Sequence, residues 1–143
     1  MKKYIMDTHI HIWNLEKVRY DWLDGDTSIL NRTYMFEELL PEIAASPVAS
    51  GILVQAANNL EDTDLMLNTA RRHQEITGIV GWLPLMKPDK VHTLLKERFL
   101  QTPYFKGVRH LIHNESDTKW LLQSEVIESL SILASNNIPF DVV

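Results

Sequence analysis

The chain has 143 residues, 45% of them hydrophobic, with 23% charged residues and a net charge of −5. That is enough apolar material for one globular domain, and the acidic balance argues against nucleic acid, whose binders carry basic patches. No cysteine is present, so disulfides and thiolate metal sites are excluded, in keeping with a reducing cytoplasm.

The first residues, Met1-Lys2-Lys3-Tyr4-Ile5-Met6-Asp7, lack the long apolar stretch of a signal peptide. The run from Ile76 to Met86 is shorter than the roughly 20 residues a membrane helix needs. In chain order, strand-like segments are expected at residues 4–13, 51–57, 78–85, 107–112 and 138–143. Helical spacing of apolar residues predicts helices over 36–45, 61–74, 90–100 and 118–135. Asn59 and Asp117 are expected to cap the second and fourth helices, and Asn136-Asn137 to end the last. From Gly51 the strands recur about every 27–31 residues, the interval of βαβ units with parallel strands and right-handed crossovers. The stretch 15–33 is the exception, a long polar loop carrying Tyr20 and Trp22, and long loops of this kind are disproportionately functional.

The first strand carries the chemistry. Side chains alternate across a strand, so Asp7, His9, His11 and Trp13 share one face, and Tyr4, Met6, Thr8, Ile10 and Ile12 the other. The apolar set suits the face under a helical layer, which turns His9 and His11 inward. Two imidazoles two residues apart form a chelate suited to zinc. The same pair also reads as two hydrogen-bonded interior histidines. Asp7 could orient one of the rings or cap the neighbouring backbone.

Asp7-Thr8-His9-Ile10-His11 resembles the opening signature of the amidohydrolase superfamily. Tyr20-Asp21-Trp22-Leu23 is similar to a segment of its fuconolactonase and rhamnonolactonase-like branch. Leu53-Val54-Gln55-Ala56, Gly78-Ile79-Val80-Gly81-Trp82 and Lys106-Gly107-Val108-Arg109-His110-Leu111-Ile112 resemble its second, third and fourth strands, and Ile138-Pro139-Phe140-Asp141 its fifth. The resemblance covers residues 1–143 and implies α/β architecture: the N-terminal portion of a TIM (β/α)8 barrel, with about five parallel strands and four helices. Such a barrel takes about 250 residues and places its active site at the strand C-termini.

The resemblance implies hydrolysis of a sugar-derived lactone to its sugar acid, by a divalent metal, zinc first, in a branch where metal dependence varies. His9 and His11 are then metal or carbonyl ligands. Arg109 is suited to a carboxylate or hydroxyls, against a structural ion pair. His110, Gln55 and Trp82 are further substrate-contact candidates, each with barrel filling as the alternative. Trp22 is either a wall over the sugar ring or a loop anchor. His73 and His92 fall on helices, where surface roles are expected, and His113 at a strand end carries no assignment. The family's general base is an aspartate ending the eighth strand, and a further histidine comes from a later strand; neither falls in these residues. That leaves a second reading, an inactive half-barrel acting as an interaction module or a truncated gene product, and a third, a sister amide hydrolase or decarboxylase. Two unpaired sheet edges also predict self-association, or a partner chain that supplies the rest of the barrel.

Overall fold

The computed structural model describes residues 4–142; Met1, Lys2, Lys3 and Val143 lie outside the described residues. Five strands form one parallel sheet, β1 (Ile5–Ile10), β2 (Val48–Val54), β3 (Ile76–Gly81), β4 (Phe105–Arg109) and β5 (Phe140–Asp141). They lie side by side in sequence order, as in the first part of a TIM barrel. Four helices connect them, α1 (Leu40–Ala45), α2 (Leu60–Arg72), α3 (Pro88–Glu97) and α4 (Ser124–Ser135). No helix among the described residues is long and apolar enough to cross a membrane.

The core lies between the outer sheet face and the helices. Leu53, Ile79 and Val108 come from consecutive strands, and Met66, Val91, Leu95, Val126 and Leu133 from the helices that cover them. Ile10 and Ile12 are buried while His9 and His11 stay accessible, as the alternation predicts, but Tyr4, Met6 and Thr8 of the same expected face are exposed. Glycine is needed where a helix presses closest. A Cβ on Gly81 would stand 2.8 Å from Thr63 Cγ2 and 2.9 Å from Phe105 Cε2.

Several boundaries differ from the sequence expectation. The first helix is divided into a 3-10 turn (Phe36–Glu38) and α1, because Pro41 has no N–H for the next helical bond. The fourth helix starts later. Asp117 caps a separate turn, accepting from Lys119 N–H at 2.8 Å, and buried Trp120 sits in the 3-10 turn Trp120–Leu122 before α4. Gln123, with ψ 140°, breaks the path between them. Asn59 does cap α2, accepting from Asp62 N–H at 2.9 Å. β4 ends at Arg109, so His110 lies past the strand and does not follow its alternation.

Candidate functional site

β1 is irregular where the chemistry begins. Its pairing with β2 slips between Asp7 and Ile10, and Asp7 Oδ1 accepts the His9 N–H at 3.0 Å. Asp7 thus caps the backbone of the bulge, the second of its two expected roles. The bulge re-aims the side chains that follow. His9 and His11 meet edge to face with Nε2 atoms 3.1 Å apart.

The hydrogen bonds fix the His11 tautomer. Its Nδ1 lies 2.9 Å from Val54 O, which can only accept, so Nδ1 carries the proton and Nε2 presents a lone pair. Burial lowers the His11 pKa, opposed by that hydrogen bond; His9 and Arg109 lower it further. His11 is therefore neutral at pH 7. Arg109 Nη1 stands 3.3 Å from His9 Nε2 and can only donate. If His9 accepts from Arg109, two imidazole lone pairs face each other. If His9 donates to His11, the guanidinium has no acceptor there. Either way one contact is unsatisfied.

A cation fits the pair in part. Two nitrogens about 2.0–2.1 Å from one tetrahedral ion sit roughly 3.3 Å apart, close to the separation seen. Among the described residues no group of three or more His, Cys, Asp or Glu could hold a metal. The two imidazoles can serve as two ligands of a cation, and the Arg109 guanidinium beside them opposes it.

Beside the pair opens a cavity of about 410 Å3, lined by His11, Trp13, Trp22, Gln55, Ala56, Arg109, Leu111, His113 and Asn114. Among the described residues no carboxylate lines it. Trp13 and Trp22 pack edge to face at 5.5 Å and form its apolar wall. Trp22 Nε1 donates to Ala56 O at 2.9 Å, which anchors the loop, while the residue stays 38% exposed at the edge of the cavity. Gln55 is fully buried, with Oε1 unpartnered, and Arg109 Nε is likewise buried without a partner.

His110 and Trp82 do not line this cavity. His110 is buried and stacked on Trp120 at 4.0 Å. Trp82 Nε1 donates to its Nδ1 at 3.0 Å, which leaves Nε2–H to donate to Glu115 at 2.6 Å. Burial lowers the His110 pKa, opposed by Glu115. In this arrangement every polar atom of the imidazole is spent inside the protein, and its stacked rings fill the space behind β4. Sequence reasoning gave no role to Trp13, His113, Asn114 or Asn58; for Trp13 the period-two pattern carried the signal.

No family model matches the chain. An L-fucono-1,5-lactonase of Burkholderia multivorans is 25% identical over 139 residues, covering 96% of this chain and 46% of the relative. A crystal structure of an amidohydrolase from Burkholderia multivorans, with bound zinc, superposes with a TM-score of 0.80 at 27% identity, over 96% of this chain and 48% of that one. Over 96% of its length the chain is similar to an amidohydrolase, as an N-terminal part of one would be. A second crystal structure of an amidohydrolase from that organism, with bound HEPES, gives a TM-score of 0.83 at 25% identity. The chain spans about half the length of the curated relatives it matches. Its curled parallel sheet accordingly has the fold of a partial TIM barrel, like part of those amidohydrolase structures.

Proposed function

We propose that this chain supplies the carbonyl-binding half of a hydrolase that opens a sugar-derived lactone to its sugar acid. The observation that carries the reading is the His9–His11–Arg109 cluster at the strand C-termini, beside a cavity walled by Trp13 and Trp22. Water adds to the lactone carbonyl, the ring C–O bond breaks, and a hydroxy acid leaves. A divalent metal, zinc by analogy with the related structure, would be held by the two imidazoles, lowering the pKa of its water and polarising the carbonyl. Arg109, a rigid fork of donors, holds the carboxylate formed or the sugar hydroxyls. Gln55 lines the same cavity, and its buried Oε1 has no partner of its own. The tryptophans bury the apolar face of the sugar ring. The cysteine-free composition suits the cytoplasm.

The test supplies the remaining part of a relative's barrel in trans and measures acid release from a panel of aldonolactones, with and without zinc. Acid release that disappears in Arg109→Ala and His11→Ala is expected. No release above the level of those variants would overturn the reading. One observation bears on a second reading, a half-barrel that binds without catalysing: among the described residues no carboxylate lines the cavity. Ligand binding without turnover in the same experiment would favour it.

A further inference from the structure

β2 and β4 are not neighbours, since β3 lies between them, yet two side-chain amides join their ends. Asn58, in the turn between β2 and α2, accepts the Leu111 N–H on Oδ1 at 2.9 Å and donates from Nδ2 to Leu111 O at 3.3 Å. It grips both polar groups of one residue, as a neighbouring strand would. Gln55 Nε2 donates to Asn58 Oδ1 and to Arg109 O, each at 3.3 Å. Asn58 Nδ2 also approaches His110 Nε2 at 3.2 Å; with that nitrogen's proton directed to Glu115, this is packing rather than a bond. The backbone on both sides of His110 is thereby held from β2, past the end of β3. Arg109 sits where this grip meets the cavity, with its guanidinium directed at His9.

We propose that Asn58 is a positioning residue for Arg109: it fixes the chain leaving β4 so that the guanidinium stays beside His9 and over the cavity. Asn58 does not line that cavity, so it acts on a ligand there through the residues it holds in place rather than by contact. Only the ligand part of the test rests on the function proposed above.

The test compares wild type, Asn58→Ala, Arg109→Ala and the double variant in calorimetric titrations with sodium D-gluconate, a sugar acid. Asn58→Ala is expected to weaken binding about tenfold, the size of a lost hydrogen-bonded constraint, and the double variant to bind no more weakly than Arg109→Ala alone. Independent, multiplying losses would overturn the proposal, because a general loss of stability does not depend on whether Arg109 is present. Crystal structures of the same variants give a reading that needs no ligand. Arg109 displaced from His9 in Asn58→Ala supports the proposal, and Arg109 unmoved overturns it. If wild type does not bind gluconate, the lactone-acid reading of the cavity fails and the crystal structures alone decide on Asn58. Should Asn58→Ala not fold, Asn58→Asp keeps the acceptor for Leu111 N–H, loses the donor to Leu111 O, and is read in the same way.

Discussion

A histidine whose Nδ1 is spent on a backbone carbonyl offers its Nε2 lone pair to whatever stands opposite, and opposite His11 stands a second imidazole. Zinc should therefore be taken up weakly by this chain, with affinity lost at least tenfold in His9→Ala or His11→Ala, since each removes one of two ligands. Equilibrium dialysis with elemental analysis checks this; equal zinc uptake by wild type and variants would exclude the chelate. Asp62 makes a separate residue-scale prediction. It is fully buried, accepts from Tyr20 Oη at 2.9 Å and from the Ala56 N–H at 2.8 Å, and burial pushes its pKa up to about 6, against the lowering effect of those bonds. The folded state then holds this proton more tightly than the unfolded chain, so Asp62 favours folding at low pH. That contribution fades as pH rises from about 4 through 6. A shift of roughly two pH units corresponds to about 3 kcal/mol. Urea unfolding should show wild type gaining on Asp62→Asn by an amount of that order as pH falls from 7 to 4. A pH-independent difference would contradict it.

Between elements, Asp62 links the exit of β2, the start of α2 and Tyr20 of the long first loop. Tyr20→Phe leaves a buried carboxylate with one partner fewer, and a stability loss of about 1–3 kcal/mol in urea is expected. Asn137 ends α4 in the left-handed region with φ 55°, and Ile138 N–H closes the turn on Leu133 O at 2.9 Å. Asn137→Ala should cost about 1 kcal/mol, because an alanine Cβ is strained there and lacks the local bonds asparagine can make. Elements like these were legible in the sequence because their signals are local: the period of two in β1, the helical stripes of α2 and α3, the Asn59 cap and the Asn137 stop. The inward face of His9 and His11 followed from the same period. The destination of His110 was not legible, since it depends on Trp82, Glu115 and Trp120 meeting in space. The Asn58 grip on Leu111 joins residues 53 apart and leaves no periodic trace. The late start of α4 was hidden because Trp120 fits an apolar helical stripe as well as it fits the buried turn it occupies.

At the scale of the molecule, β1 pairs only with β2 and β5 only with β4 among the described residues. Ile5 and Met6 at the start of β1 are each 47% exposed. Open edges with apolar neighbours recruit further strands, so the isolated chain should self-associate at micromolar concentrations. Light scattering after size-exclusion chromatography measures this, and a monodisperse monomer would refute it. Because the strands pair in sequence order, each βα unit can dock on the one before it as the ribosome releases the chain. The cavity obeys a different timetable. Its far wall and the amide grip that steadies it both await Leu111, so a nascent chain can own a nearly complete sheet while still having nowhere to seat a small molecule.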